Sequence, residues 1–268
     1  MPRTITAFSN PLIKRVRSLR EKKGRRLERL FLAEGLRILT EAREMGRVPH
    51  WIFYAAEGAA HPLVDALIAA VEAAGGEAIQ TDRDILSKLS GKDNPQAVLG
   101  VFEEPATDLS MIDRGTADLW IVAQALRDPG NIGTILRTGD AVGAGGLILI
   151  DDCADPFSVE AVRASMGATF TQALATARWP DFLDWLRAGP GQLVATALDG
   201  AVDYQQPAYA RPCFLMVGNE SQGLPADYAA AADLRVKIPM LGKADSLNAA
   251  VATAVAAYEI RNQWRRAT

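Results

Sequence analysis

Three short segments in the C-terminal half of the chain combine glycine with polar side chains: residues 131–138, 217–224 and 238–248. Each comes just after a short β-branched or apolar run. An α/β protein builds its ligand sites from loops at the carboxyl ends of such strands. The segments are separated by roughly 85 and then roughly 20 residues, so one domain can fold them together. They therefore predict one ligand-binding site made of three loops.

Each segment also has a simpler interpretation when it is taken alone. Glu220 lies between two glycines that let the backbone approach a ligand, but a plain Gly-Pro turn would look the same. Arg137 lies in the middle of a predicted helix on the same face as Asp140, which also suits a surface ion pair. Asn131 and Ser246 could each serve only as a helix N-cap. The prediction of a site depends on the three segments together.

Several common kinds of site are excluded by the absence of their motifs. The nearest match to a dinucleotide-binding G-x-G-x-x-G is Gly143–Gly146, which ends a helix instead of opening one, so Gly143 is interpreted as a helix C-cap. Cys153 and Cys213 have no C-x-x-C spacing, which predicts neither a metal site nor a disulfide framework and suits the cytoplasm. No apolar run approaches 18 residues without interruption, and the N-terminus lacks a signal sequence, so we expect no membrane segment.

The charge is distributed unevenly along the 268 residues. Residues 1–47 carry thirteen Lys or Arg and five Asp or Glu, whereas the remainder carries sixteen and twenty-seven. A basic arm on an acidic body suggests a polyanionic partner held at one end, and a solvated helix face is the equally simple alternative. The basic residues predicted to contact that partner are Lys14, Arg15, Arg17, Lys22, Lys23, Arg25 and Arg26.

The periodicity predicts two α/β modules. Residues 1–105 form the first, with helical spacing over 10–47 that Gly24 interrupts, and residues 106–117 read as a linker. Residues 118–268 form the second, in which near-continuous apolar strands alternate with helices and predict a parallel sheet. The predicted strands are 50–55, 77–81, 97–102, 119–123, 146–150, 170–175, 192–197, 213–217 and 234–238, and the later helices are 62–74, 82–90, 131–143, 157–166, 179–188 and 245–264.

Taken together, these segments resemble the SpoU/TrmH family of RNA 2′-O-ribose methyltransferases, in the SPOUT superfamily. The family's three motifs are matched in order by NIGTILRT, LMVGNESQGLP and IPMLGKADSLNAAVATAVAAYE, and VRASMGATF resembles the stretch between the first two. The N-terminal SNPLIKRVRSLREKKGRR and FLAEG resemble the substrate-binding domain of one branch of the family. The resemblance covers most of the chain and outweighs the simpler interpretation of each segment.

The resemblance implies a fold, a cofactor and an assembly. The fold is an α/β sheet whose C-terminal part forms a deep trefoil knot, preceded by a smaller N-terminal α/β substrate-binding domain. The family is typically a homodimer, and a stripe of Leu247, Val251, Val255 and Tyr258 on the last helix suits packing against a partner subunit or a core. S-adenosylmethionine would be held by Val217, Gly218, Asn219, Glu220, Gly223, Ile238, Met240, Gly242, Ser246 and Leu247.

The resemblance also implies catalytic roles and a partner. Arg137 would activate the ribose 2′-hydroxyl, although its high pKa makes phosphate binding and stabilisation of the alkoxide the better assignment. Asn131, Glu220, Ser246 and Asn248 would orient Arg137, ribose and cofactor, and no metal is required. The substrate would be structured RNA, either rRNA or tRNA. The alternatives are a base-methylating relative, an RNA-binding protein without catalysis, and a dimeric scaffold.

Overall fold

The computed structural model of the protein describes residues 3–56, 61–197 and 200–267. The chain folds into two compact units. One comprises Met1–Pro105 and Asp155–Thr171, and the other comprises Ala106–Ala154 and Gln172–Thr268. The segment expected as a linker lies within the second unit, where Arg114 donates hydrogen bonds to the backbone carbonyls of Trp185 and Leu186 at 2.5 and 3.0 Å. The domain boundaries predicted from sequence place residues 155–171 in the second domain, whereas in the structure they belong to the first unit.

The first unit contains a mixed sheet in the order β1-β4-β3-β5-β2. Its first three strands in that order run parallel, and β5 is antiparallel to both of its neighbours. The strands are β1 (Arg3–Thr4), β2 (Leu30–Glu34), β3 (Trp51–Ala55), β4 (Glu77–Thr81) and β5 (Val98–Glu103). The helices, numbered in chain order, are α1 (Pro11–Ser18), α2 (Lys22–Glu28), α3 (Leu36–Glu44), α4 (Pro62–Ala73), α5 (Arg83–Ser90), α7 (Val159–Ser165) and α8 (Ala168–Thr171).

The helical prediction for residues 10–47 is confirmed at α1, α2 and α3 and is wrong at Leu30–Glu34, which forms β2. All five residues of β2 are buried, which is typical of a strand in the interior and not of a one-sided helix. Gly24 does not break a helix either, since it lies inside α2. A Cβ at Gly24 would come within 2.0 Å of the carbonyl oxygen of Ser18, so close backbone approach is what requires glycine there.

Residues 155–171 join the first unit through an aromatic cluster and a buried ion pair. Phe157 packs on Phe31 with ring centroids 5.1 Å apart, and Phe170 packs on Phe102 at 4.7 Å. Beside them, the Asp155 carboxylate accepts hydrogen bonds from Nη2 and Nε of Arg25, a buried residue of α2, at 2.6 and 3.1 Å. A stretch that follows a strand of the second unit in sequence is thus part of the first unit's core.

The second unit is built on an all-parallel sheet, as the apolar runs predict. Its order is β10-β12-β9-β11-β6-β7-β8. The strands are β6 (Leu119–Gln124), β7 (Gly146–Ile150), β8 (Ala173–Ala177), β9 (Gln192–Thr196), β10 (Val202–Asp203), β11 (Cys213–Val217) and β12 (Leu234–Lys237). The helices are α6 (Pro129–Ala141), α9 (Trp179–Arg187), α10 (Ala226–Ala231) and α11 (Ala249–Arg266).

Two helix starts differ from those expected and change the roles of predicted capping residues. The N-cap of α6 is Asp128, whose carboxylate accepts from Gly130 N, so Asn131 lies inside the first turn. The N-cap of α11 is Asn248, and Ser246 precedes the helix. Gly143 follows α6 with φ +65°, as its interpretation as a helix end predicts. The strand expected at 170–175 is instead β8, because α8 occupies residues 168–171.

Replacement of Arg25 should destabilise the first unit strongly. The Arg25 side chain is 3% exposed and Asp155 is 14% exposed, so Arg25→Met would leave a carboxylate unpaired in the interior. Removal of one partner from a buried ion pair typically costs about 3–5 kcal/mol. Urea unfolding should show a loss of that size. Arg26→Met on the same helix, at an exposed position, is the matched control, and equal losses for the two variants would contradict the structural role of Arg25.

Candidate active site

The predicted site segments meet at the carboxyl edge of the second unit's sheet. Residues 218–225 leave β11 as a tight hairpin in which Gly223 N donates to Asn219 O at 2.9 Å. A Cβ at Gly218 would lie 2.3 Å from the carbonyl carbon of Gly223, so the hairpin requires glycine at this position. Asn219 Nδ2 donates to Ala125 O at 2.8 Å, just beyond the carboxyl end of β6, and ties the hairpin to the neighbouring strand.

A chain of side-chain hydrogen bonds, which we call the Glu220–Asn131–Asn248 relay, joins the three segments. Asn131 Nδ2 donates to Glu220 Oε1 at 2.9 Å, and Asn248 Nδ2 donates to Asn131 Oδ1 at 2.9 Å. Asn248 Oδ1 in turn accepts from the backbone N–H groups of Ala250 and Val251, which begin α11. Each amide therefore has one orientation fixed by its neighbours.

The carboxylate at the end of the relay is held in its ionised form. Partial burial acts to raise the pKa of Glu220, but hydrogen bonds from Asn131 and from the backbone N–H groups of Arg127 and Asp128 outweigh it. The pKa of Glu220 is therefore below its usual value. At neutral pH Glu220 accepts hydrogen bonds and does not act as a proton donor.

The third segment presents open backbone beside the relay. From Ile238 to Leu247, no backbone N–H or carbonyl is hydrogen-bonded to another backbone group of the described residues. Leu241 is 98% exposed and Leu247 is 38% exposed, and no atom lies within 4 Å of the space that a Cβ at Gly242 would fill. Ser246 is exposed, and its hydroxyl donates to Asp245 Oδ1 at 3.2 Å. The segment offers donors, acceptors and apolar surface to a ligand.

The other residues expected at the cofactor site differ in exposure. Val217 is buried at the end of β11, while Met240 is half-buried. Gly223 has a φ of +67° and, like Gly242, open space where a Cβ would be. Val217 leads into the hairpin, Gly223 lies within it, and Met240 and Gly242 lie in the open segment.

Arg137 does not belong to the relay. It is exposed on α6, and no hydrogen bond or ion pair joins it to another residue in the described parts of the chain. It lies six residues after Asn131, a rise of about 9 Å along the helix axis.

A second cluster, which the sequence did not indicate, borders the hairpin. Tyr228 on α10 stacks on Trp179 with ring centroids 4.0 Å apart and an interplanar angle of 11°. Its hydroxyl donates to Asp151 Oδ2 at 2.9 Å, and Gln124 Nε2 donates to the same oxygen at 3.2 Å. Burial and this hydrogen bond raise the pKa of Tyr228 to about 12, so it remains a donor. The feature that marks this cluster is the positive φ of 62° at Asp151, an uncommon backbone conformation for a residue other than glycine. Only a structure shows it.

The basic residues predicted on the first unit are exposed with one exception. Arg25 is only 2% exposed and paired with Asp155, which corrects its assignment as a contact for a polyanion. Arg15 is partly engaged, since it pairs with Glu28 at 2.7 Å and lies over the Trp51 ring at 5.0 Å. The exposed basic residues are Lys14, Arg15, Arg17, Lys22, Lys23 and Arg26.

Other chemistry receives no support from the described residues. No group of three or more His, Cys, Asp or Glu in the described ranges could hold a metal ion. No helix described here has the length and apolar character needed to cross a membrane. Burial raises the pKa of the Cys153 thiol to about 11 and that of Cys213 to about 12, so neither is a nucleophile at neutral pH.

The relay predicts a specific pH dependence of stability. Because the pKa of Glu220 is lower in the folded than in the unfolded protein, its contribution is complete above the unfolded value of about 4.3 and is lost as the pH falls through the folded value. The difference in urea midpoint between the protein and Glu220→Gln should thus stay constant from pH 8 to 6 and shrink towards pH 3.5. Asp184→Asn, outside the relay, controls for net charge, and a difference that grows on acidification would contradict this assignment.

The second unit matches a known family of enzymes. Residues 118–258 match the SpoU rRNA Methylase family, and residues 10–100 match the MRM3-like substrate binding domain. The 23S rRNA (guanosine(2553)-2′-O)-methyltransferase of Bacillus subtilis is 30% identical over 96% of this chain and 98% of its own. The 23S rRNA (uridine(2479)-2′-O)-methyltransferase of Streptomyces viridochromogenes is 34% identical over 87% of this chain and 83% of its own.

A solved structure extends the similarity to the whole fold. The crystal structure of an AdoMet-bound rRNA methyltransferase from Sinorhizobium meliloti shares 39% identity, covers 97% of this chain and 98% of its own, and superposes with a TM-score of 0.90. The family models, the two relatives and the solved structure agree, and the chain belongs to the SpoU rRNA methylase family.

Proposed function

We propose that the protein transfers a methyl group from S-adenosylmethionine to a ribose 2′-hydroxyl of structured RNA, either rRNA or tRNA. The observation that carries this proposal is the Glu220–Asn131–Asn248 relay, which joins all three family motifs beside an open backbone segment. The two curated relatives are both 2′-O-methyltransferases of 23S rRNA. Their targets are a guanosine and a uridine, so the proposal does not specify which base the methylated nucleotide carries.

The residues of the open segment fit an adenosine-containing cofactor. Adenosine has a flat apolar ring with polar edges, and residues 238–247 provide unpaired backbone donors and acceptors next to the exposed side chains of Leu241 and Leu247. We assign cofactor binding to this segment with the hairpin, through Val217, Gly218, Asn219, Glu220, Gly223, Ile238, Met240, Gly242, Ser246 and Leu247. Bound S-adenosylmethionine supplies a methyl group on a positively charged sulfur, which is open to attack by oxygen.

The protein's part in the reaction is chiefly positioning and electrostatic stabilisation. Displacement at a methyl carbon needs the 2′-oxygen in line with the carbon–sulfur bond that breaks, and such alignment supplies a large share of the acceleration. The proton of the 2′-hydroxyl passes to solvent water as the new carbon–oxygen bond forms. The guanidinium of Arg137 has no partner among the described residues, so it is available to bind an RNA phosphate and to stabilise negative charge on the 2′-oxygen. We assign it that role.

The relay residues position the loops of the site. Asn131, Glu220 and Asn248 use their hydrogen-bonding groups on one another and on nearby backbone, so we assign them the task of holding the three loops in place. Ser246 is different, because its exposed hydroxyl can turn from Asp245 towards a ligand. No step of this scheme requires a metal ion.

Assembly, knot and location belong to the same proposal. We propose a homodimer, supported by Val251 and Tyr258, which are 49% and 55% exposed on α11 and continue the apolar stripe that starts at Leu247. We propose that the second unit contains the trefoil knot implied by its family, and that the protein acts in the cytoplasm, where its free thiols remain reduced.

We further propose that residues 1–105 bind the RNA substrate and that residues 118–268 catalyse the methyl transfer. A non-catalytic RNA-binding protein is the alternative. The intact relay favours catalysis, because a protein that only bound RNA would not need to hold the cofactor segment beside the first motif.

Arg137→Ala should abolish methylation while cofactor affinity is retained. Loss of a charge that stabilises the reacting oxygen typically lowers kcat by 100-fold or more, whereas residues 238–247 remain unchanged. Transfer of tritiated methyl groups to total RNA from a strain that lacks the gene measures activity, and calorimetry measures cofactor affinity.

Arg178→Ala is the matched control for Arg137, because Arg178 is an exposed arginine at the start of α9, paired with Asp181. It should retain full activity. Full activity of Arg137→Ala would refute the assigned role, and absence of any ribose mark with the unaltered protein would refute the proposed function itself.

Removal of Lys22, Lys23 and Arg26 should weaken RNA binding and its salt dependence. Each lost phosphate contact lowers the slope of log K against log salt concentration by about 0.7–0.9, so the triple Ala variant should lose about 2–3 units of slope. Substitution is preferable to deletion of residues 1–47, since that segment contains β2. The control is the triple Ala variant at Arg37, Arg47 and Arg83, of equal charge; equal slopes for the two variants would contradict an RNA-binding face on α2.

A further inference from the structure

A cleft of about 670 Å³ lies between the hairpin and the carboxyl end of β6. Glu220 forms part of its wall, which places the cleft beside the relay. Leu224, Pro225 and Ala226 contribute apolar surface, and Arg127 contributes a side chain that is 62% exposed. The described residues that line the cleft include Asn219, Glu220 and Gly223 of the hairpin, which we also assign to the cofactor, and none from residues 238–247. The cleft therefore adjoins the proposed cofactor site along the hairpin.

Gln124 lines this cleft and is more than nine-tenths buried. Its Nε2 donates to Asp151 Oδ2 at 3.2 Å. Because a carboxylate only accepts hydrogen bonds, the amide nitrogen must face Asp151 and the amide oxygen must face away. No described residue donates to Gln124 Oε1, and this oxygen is not sealed from solvent. A buried side chain thus presents one unpartnered acceptor to the cleft.

The orientation of this acceptor is itself held by a rigid support. Asp151 Oδ1 accepts from Trp179 N at 3.0 Å, and Oδ2 accepts from the Tyr228 hydroxyl at 2.9 Å. Tyr228 is in turn stacked on the Trp179 ring. The carboxylate cannot turn without loss of these bonds, so Gln124 cannot flip its amide. Pre-oriented groups of this kind discriminate between ligands because an unmatched one leaves them unpaired.

The cleft has the chemistry of a nucleobase site. A base is a flat ring that packs on apolar side chains, and its Watson–Crick edge carries N–H groups that an amide oxygen accepts. Arg127 lines the cleft and is paired to Asp152 at 2.6 Å, and its positive charge suits a ligand that carries phosphate. A small neutral metabolite would not require that charge.

We propose that this cleft binds the base of the nucleotide whose ribose is methylated, and that Gln124 Oε1 accepts a hydrogen bond from an N–H on its Watson–Crick edge. The proposal rests on the proposed function and adds to it a residue that senses the base. Asp151 and Tyr228 are positioning residues, since they act through Gln124.

The test begins with the nucleotide that wild-type protein methylates, identified by ribose-methylation mapping. Gln124→Met keeps the volume of the side chain and removes the acceptor. It should lower kcat/KM for a short RNA containing that nucleotide by about tenfold or more, since a buried donor would lose its partner. The Kd for S-adenosylmethionine should not change. Gln172→Met is the control, because Gln172 is also a partly buried glutamine of the second unit, bonded to Ala144 O at 3.2 Å.

A second substrate makes the test independent of the variant's folding. In it, the Watson–Crick N–H groups of the target base are replaced by N-methyl groups. Wild-type protein should lose about tenfold in kcat/KM on this RNA, and Gln124→Met should lose little more than it has already lost, because the two changes remove the same hydrogen bond.

The outcomes separate the two proposals. If wild-type protein leaves no ribose mark on any RNA, the proposed function fails. If the mark is made but the two losses multiply, or the methylated base is tolerated by wild-type protein, the base site is wrong while the function stands. A raised Kd for S-adenosylmethionine in Gln124→Met would assign the cleft to the cofactor and also overturn the inference.

Discussion

The site depends on one hydrogen bond more than on any other, that from Asn131 Nδ2 to Glu220 Oε1. Its two residues are 89 positions apart, and Asn131 is also bonded to Asn248, 117 positions further along the chain. Because Glu220 is ionised, it dictates which way the Asn131 amide faces, and Asn131 then dictates the orientation of Asn248. The charge of Glu220 therefore fixes the hydrogen bonds that join the three loops to one another and to the start of α11.

Much of the second unit could be predicted from the sequence, because its central strands β6, β7 and β11 are buried along their whole length and read as continuous apolar runs. The identities of Asn131, Glu220 and Asn248 were also predicted, but their mutual bonding was not. Spacing places residues on loops; it does not show which side chains meet across a parallel sheet. Gln124 and Asp151 were missed for the same reason, since Gln124 is the last residue of β6, Asp151 follows β7, and neither belongs to a motif.

The first unit shows where pattern and packing diverge. Leu27, Leu30 and Phe31 have helical spacing, yet Leu30 and Phe31 open β2 because pairing with β5 buries every residue there. Arg25 was grouped with surface cations by charge count alone. Its burial follows from Asp155, which lies 130 positions away and returns to this unit with Phe157 and Phe170. Local sequence contains no trace of such a partner.

The hydrogen bonding of the polar groups distinguishes residues that support the site from groups that are available to a ligand. Asn131, Glu220, Asn248 and Asp151 have their hydrogen bonds within the fold, so a ligand could recruit them only by breaking existing bonds. Among the described residues of the site, the groups left open include the Arg137 guanidinium, the backbone of residues 238–247 and Gln124 Oε1. These are a cation, a set of amide edges and a single acceptor, which we assign to a phosphate-bearing chain, an adenosine and a base edge. A methyltransferase acting on RNA has to hold all three at once, and the fold leaves open the groups that such a reaction would use.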